Sequence, residues 1–264
     1  MPKINATLAL LTRNSAHTLD RALESSKDFD EIVVVDGAST DATPQIAQKY
    51  GARIISQDPL FLAADGSIKN FGAVRNQYVH ASKHDWIFVL DADEKLTPEL
   101  VQEIRSVVST GVLGAYWVSR LYEYDGYTVT CSASYPSQQM RFFHRAVVAG
   151  YIKRIHERLE LKAGTEPKHL KNHMLVPLVN DMTVVRRKWQ RYIEIECARQ
   201  RPIAPFRALR LIFREFAMGI LFLIRIARTY FLCRGTHLPF SLELTKPLYQ
   251  FMLIGGIMRS IGRK

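Results

Sequence analysis

An α/β fold with a mostly parallel central sheet flanked by helices, followed by a basic helical region, is what this sequence predicts, and three observations predict it. Apolar runs of strand length alternate with helical patterns through roughly the first 120 residues, the order of βαβ units. Acidic loops directly follow some of those runs, at the sheet edge where α/β folds bind ligands. Charge is divided unevenly: residues 1–182 hold 20 Lys+Arg against 21 Asp+Glu, a net of −1, and residues 183–264 hold 16 against 4, a net of +12. With 264 residues, 47% of them hydrophobic, the chain suits one substantial domain, residues 1–182, with residues 183–264 as a helical appendage.

The elements follow in order. Residues 6–11 form a first strand, 18–26 a helix, 32–35 a strand, 44–50 a helix ended by Gly51, and 54–56 a strand. A polar, glycine-containing stretch at 58–70 leads to a helix over 73–81 and a buried strand over 86–90. Pro98 opens the next helix, with Thr97 as its N-cap and Glu99 in its first turn, and that helix ends near Gly111. Residues 115–161 are β-rich through Tyr116, Trp117, Val118, Tyr127 and Val129, which predicts a mixed or antiparallel extension. Residues 162–182 carry no readable pattern, and helix resumes near 184.

Three cysteines, Cys131, Cys197 and Cys233, are odd in number and far apart, which suggests neither a disulfide framework nor a zinc site and fits a reducing compartment. Residues 4–11 are interrupted by Arg13 before an apolar signal region is complete, so the expected location is cytoplasmic.

Chemistry enters at residues 86–94, W-I-F-V-L-D-A-D-E, where apolar residues end in Asp91, Asp93 and Glu94. Two aspartates one residue apart can hold a hard divalent cation, Mg or Mn, whose remaining ligands come from a diphosphate. A lone D-x-D is more often an acidic helix-capping turn. Here a second acidic turn, V-V-V-D-G-A-S-T-D at 33–41, and a third loop, Leu11 to Asn14, also follow strands, and three such loops at one edge make a nucleotide pocket. Arg75 and Asn76 open a helix beside the 58–70 stretch, so Arg75 is a phosphate candidate or else a surface residue. Arg141 lies in an apolar run and needs a partner: the donor diphosphate, Asp91, Asp93, or an ordinary structural ion pair. His169 and His173 have i, i+4 spacing but read as solvated loop residues. No G-x-G-x-x-G, P-loop or G-x-S-x-G pattern supports a dehydrogenase, kinase or serine hydrolase.

Taken together, T-R-N at 12–14, E-I-V-V-V-D-G-A-S-T-D at 31–41, G-A-V-R-N at 72–76, L-D-A-D-E at 90–94, Y-P at 135–136, Q-M-R-F-F at 139–143 and H-E at 156–157 resemble family-2 glycosyltransferases of the GT-A fold, closest to the lipopolysaccharide-core glucosyltransferase subgroup. That resemblance, over residues 5–157, implies an inverting hexosyltransferase using a nucleotide sugar such as UDP-glucose. It places Thr12, Arg13, Asn14, Asp36, Arg75, Asp91 and Arg141 at the donor, Asp93 on the metal, and Asp91 on ribose or metal. Glu157 is implied as catalytic base, with His156 orienting it or touching the donor phosphates; the alternative is a surface pair in which Glu157 bridges Arg154 or Arg158. Many such relatives carry a second acidic residue where this chain has Gly37, which weakens the inference to uracil. The implied acceptor is a membrane glycolipid, lipopolysaccharide inner core first and a polyprenyl phosphate second. A nucleotidyltransferase would need a glycine-rich loop near the first strand, and residues 11–15 contain no glycine, while a membrane scaffold would have no use for the carboxylates.

In the tail, residues 206–231 form a helix without proline, and at about 100° per residue Arg207, Arg210, Arg214, Arg225 and Arg228 fall in one sector of about 60°. Its apolar runs are shorter than the roughly 20 residues that span a bilayer. Peripheral attachment to an anionic surface, the cytoplasmic face of the inner membrane, is expected, and packing against the chain's own domain or a second copy is the alternative. Nucleic acid is not expected, because the arginines alternate with aliphatics rather than stacking aromatics.

Overall fold

A computed structural model describes residues 2–63, 66–153, 157–178, 182–200 and 203–261. In chain order its elements are β1 (Ile4–Thr12), α1 (Ala16–Glu24), β2 (Phe29–Asp36), α2 (Thr43–Lys49), β3 (Arg53–Ser56), α3 (Phe71–Ala81), β4 (Trp86–Asp91), β5 (Lys95–Leu96), α4 (Pro98–Thr110), β6 (Ala115–Tyr124), β7 (Tyr127–Val129), β8 (Gln138–His144), β9 (Val148–Ile152), β10 (Arg158–Leu161), β11 (Lys168–Pro177), α5 (Met182–Gln200), α6 (Pro205–Leu232), α7 (Phe240–Glu243) and α8 (Thr245–Arg259). They fall into two compact units, Met1–Leu121 with Pro136–Pro177, and Tyr122–Tyr135 with Leu178–Lys264.

The first unit is a mixed α/β layer structure. Strands β3, β2, β1 and β4 are parallel, and β8 then pairs antiparallel with β4, and β6 with β8. Consecutive residues of β1, β2 and β4 are buried on alternate faces. Leu8, Leu10, Val34, Phe88 and Leu90 join one core with Leu19 and Leu23 of α1 and Leu100 and Ile104 of α4. Ala9, Val33, Val35, Ile87 and Val89 join the other with Val74 and Tyr78 of α3. A strand covered on both faces must be apolar throughout, so the strand runs were continuous in sequence. The expected caps form: Thr97 Oγ1 accepts from Leu100 N, and Gly111 is left-handed at φ 67°.

β11 lay in the stretch with no readable pattern. Of its ten residues only Leu170, Met174 and Leu175 are buried, so its alternation is mostly polar. His169 and His173 therefore stand on a strand and not in a loop. Four residues of extended chain separate them by about 13 Å, too far to share one ion.

In the second unit, Tyr122–Tyr124 pairs with β7, and Val129, Leu238 and Leu242 form a small core with tyrosines 122, 124, 127 and 135 packed against it. Residues 122–135 thus belong with the C-terminal helices, which the expected division at 182 and 183 did not anticipate. The cysteine reading is corrected as well: Cys131 and Cys233 form a disulfide, and Cys197 is free and buried. Their 102-residue separation hid the pairing, since sequence distance says nothing about approach in space. The argument from cysteine usage for a reducing compartment therefore falls. Among the described residues no helix is long and apolar enough to cross a membrane.

Candidate active site

The carboxyl ends of β1 and β2 are tied together by side chains. Thr12 Oγ1 donates to Asp36 Oδ1 at 2.7 Å, and Ser39 donates to both Asp36 oxygens, through N at 2.8 Å and Oγ at 2.6 Å. Asn14, left-handed at φ 50°, donates N–H to Ser39 Oγ and accepts from Thr40 N, each at 2.8 Å. Asparagine tolerates that conformation because its amide bonds nearby backbone. Asp41 is occupied structurally, accepting from Ala16 N at the start of α1 and from Thr43 N at the start of α2. Arg13 Nη1 donates to Gly66 O at 2.6 Å, linking the first loop to the glycine-containing stretch.

At the end of β4, three arginines and three acidic side chains converge. Arg141, 3% exposed, donates to Asp91 Oδ1 and Oδ2 at 3.2 and 2.5 Å and lies 3.1 Å from Glu94 Oε2. Arg120 reaches Glu94 Oε1 at 3.1 Å, and Arg75 bridges Glu157 Oε1 at 2.8 Å and Asp91 Oδ1 at 3.4 Å. Burial raises a carboxyl group's pKa, but Arg141, Arg75 and Arg120 outweigh it at Asp91 and hold that group well below the usual carboxylate range. At Glu94 burial dominates and, with the charge of Asp91, pushes the pKa up despite Arg141 and Arg120. Arg141 is held above its usual range because Asp91 and Glu94 more than offset its burial.

Thr12, Asn14 and Asp36 meet at one strand edge, and Arg75, Asp91, Arg141 and Glu157 meet at another cluster of the same unit. His156 lies outside the described residues. Asp93 is exposed at the turn after β4, where its carbonyl accepts from Arg21. Beside Asp91 opens a cavity of about 600 Å³, lined by Arg75, Trp117, Gln139, Arg141, Tyr151 and Glu157 among others.

Glu94, Arg120 and Gln57 had been given no role. Glu94 was legible as the third acid of D-A-D-E, but its inward turn was not: Asp91 N donates to Glu94 Oε2 and Glu94 N to Asp91 O. Gln57 is buried beside Gly37, where an added Cβ would stand 3.0 Å from its Nε2, so the missing side chain at 37 is the room this amide fills.

A bound cation would find one accessible hard oxygen donor in the Asp93 carboxylate. Both Asp91 oxygens are engaged by guanidinium groups, and among the described residues no three His, Cys, Asp or Glu side chains cluster to hold an ion alone. That donor set fits Mg²⁺ or Mn²⁺ in the mode where one carboxylate and substrate phosphates share the ion.

In the second unit, Arg207, Arg210 and Arg228 on α6 are exposed. Arg214 pairs with the adjacent Glu215, and Arg225 is turned inward, its Nη2 donating to Tyr135 O at 2.6 Å. The arginine sector expected to face lipid as five is thus divided.

The profile of glycosyl transferase family 2 matches residues 7–189. A TPR repeat-containing protein of Synechococcus elongatus is 41% identical over 115 residues, 43% of this chain and 27% of that protein. An uncharacterized glycosyltransferase of Rickettsia bellii is 35% identical over 102 residues, 38% of this chain and 32% of that protein. The chain thus spans about a third or less of the length of these relatives. Among solved structures, S. aureus TarS 1-349 in complex with UDP-GlcNAc aligns with 99% of this chain and 82% of its own at 14% identity and a TM-score of 0.46.

Proposed function

The chain belongs to glycosyl transferase family 2, and from that premise we propose that it is an inverting, metal-dependent hexosyltransferase that moves glucose from UDP-glucose to a membrane glycolipid, the lipopolysaccharide inner core. One observation supports this most: the Thr12–Asp36 pair and the Asp91–Arg141–Arg75–Glu157 cluster stand at the carboxyl ends of neighbouring parallel strands, with Asp93 exposed beside them.

In this reading Thr12, Asn14 and Asp36 hold the nucleoside, with Arg13 steadying the neighbouring loop. Asp93 holds the divalent cation, which when bound offsets charge on the departing diphosphate. Asp91 keeps Arg141 and Arg75 aimed at the same phosphates, a role its two engaged oxygens suit better than direct ligation. Glu157 takes the proton from the acceptor hydroxyl, on the face of the sugar opposite the diphosphate, as a single displacement requires. Arg75 fixes the base by holding one of its oxygens. His156 is assigned to orient that base or to contact the donor phosphates. The acceptor is met at the cytoplasmic face of the inner membrane, where exposed Arg207, Arg210 and Arg228 approach anionic lipid.

A hydrolysis screen over nucleotide sugars, with Mn²⁺ and with chelator, tests the proposal. UDP-glucose turnover that requires the ion is expected. Failure to turn over any nucleotide sugar under either condition would overturn it.

A further inference from the structure

Helix α6 is 28 residues long, and its circumference divides into three sectors at about 100° per residue. Ala208, Glu215, Gly219 and Ile226 form the buried seam. Ala208 packs in one cluster with Leu253 and Ile257 of α8, and Gly219 lies so near Phe251 of α8 that an added Cβ would stand 2.8 Å from its ring. The five arginines fall in a second sector of about 60°, which they share with exposed Leu221 and Leu232. A third sector of similar width, adjoining the arginines on the side away from the seam, carries Phe206, Leu209, Phe213, Ile220, Ile224 and Phe231. All six are exposed, from 38% at Ile220 to 72% at Phe213 and 86% at Phe231.

The rotation of this helix is fixed from the other side. The α8 seam, the Arg225 bond to Tyr135 O and the disulfide from Cys233 to Cys131 all belong to the same unit and bind α6 along one flank and at its C-terminal end. Turning the apolar sector inward would break each of them. The outward apolar sector is therefore a built feature of the unit and needs a partner that is apolar in depth and anionic at its rim.

We propose that this sector inserts into the acyl boundary of an anionic lipid monolayer, with Arg207, Arg210 and Arg228 at the level of the lipid phosphates. This rests on the membrane-surface reading above and changes its emphasis: apolar insertion carries the affinity, and the arginines select anionic lipid and set depth. A lipid monolayer meets both demands of the helix, an apolar layer beneath a rim of phosphates, and a helix in this plane buries its apolar face about 5–10 Å deep. No crossing of the bilayer is required.

The test uses the full chain and vesicles of phosphatidylcholine with and without phosphatidylglycerol. Replacing Phe213, Ile220 and Ile224 together by Ser is expected to lower partitioning onto both vesicle types by roughly a hundredfold or more, because three large apolar side chains lose burial. Replacing Arg207, Arg210 and Arg228 by Gln is expected to weaken binding only to the anionic vesicles. In Leu209→Trp, the emission gained over the unmodified chain is expected to be quenched by lipids brominated in the acyl chains. The proposal is overturned if the triple Ser chain partitions normally, or if bound Leu209→Trp escapes that quenching. It is equally overturned if the lipid-free chain sediments as a dimer that the triple Ser replacement dissociates, since a second copy would then cover the sector. Donor hydrolysis by the unmodified chain without vesicles reads the transferase assignment separately, so either reading can fail alone.

Discussion

Arg141 is the residue on which the charge cluster depends most. Its guanidinium neutralises Asp91 and Glu94, and Glu94 is itself 1% exposed. In Arg141→Met, Asp91 would keep only Arg75, at 3.4 Å, and Glu94 only Arg120, at 3.1 Å, and stripping one partner from such a buried group costs about 3–5 kcal/mol. The pH dependence has a definite sign. Asp91, with its pKa depressed in the fold, contributes stability above the ordinary carboxylate pKa that is lost as pH falls through the folded value; Glu94, with its pKa raised, is penalised increasingly as pH rises past its ordinary value. Removing Arg141 diminishes the first contribution, leaving Arg75 and Arg120 to offset burial, and enlarges the second penalty. Urea denaturation should therefore show the deficit greatest near neutral pH and shrinking in acid, and a deficit independent of pH would contradict this. For Glu157, replacement by Gln keeps an oxygen for Arg75 Nε and removes basicity, so transfer should fall by roughly 10² to 10⁴ while UDP binding is unchanged in titration calorimetry. The need of Arg141 for a partner was legible, because it sits in an apolar run. Its choice of Glu94 was not, since nothing in D-A-D-E says which acid turns inward. Nor was the bridge from Arg75 to Glu157 legible, because the two are 82 residues apart.

Helix α3 positions Arg75, and two neighbouring side chains set the helix. Asn76 copies a peptide group: its Nδ2 donates to Tyr151 O at 3.0 Å and its Oδ1 accepts from Tyr151 N at 2.7 Å, pinning the helix to β9. Gly72 lets the backbones close, since an added Cβ would stand 2.6 Å from Lys153 O. Backbone cannot swing away as a side-chain tip can. Gly72→Ala should therefore push α3 from β9, lower stability by about 1–3 kcal/mol and reduce turnover by drawing Arg75 away from Glu157. Thermal denaturation with activity reads both effects, and an unchanged melting temperature would show that the segment yields. At this scale the sequence was most informative where burial was two-sided, as in β1, β2 and β4, whose runs are continuously apolar. It was silent at β11, whose alternation is mostly polar.

Across the whole molecule, the division of charge marks residues 183–264 as basic, while spatial pairing between distant segments stayed hidden. Residues 122–135 and Cys233 meet only in the fold. A cytoplasmic site and the Cys131–Cys233 bond make opposite demands on those thiols, so alkylation of denatured protein trapped directly from cells is informative. One reactive thiol, Cys197, is expected; three would mean the bond is not kept there. Loss of a disulfide typically lowers stability by about 2–4 kcal/mol, and reductant should shift the urea midpoint of the purified chain downward accordingly. On the proposed assignment, the chain grips a nucleoside diphosphate through a cation that Asp93 would hold. Calorimetric titration of UDP into the unmodified chain and into Asp93→Asn, each with Mn²⁺ and with chelator, tests it most directly. Mn²⁺ is expected to strengthen UDP binding to the unmodified chain at least about tenfold and to leave Asp93→Asn unaffected, because the carboxylate that would hold the ion is gone. Equal enhancement by Mn²⁺ in both proteins would contradict it.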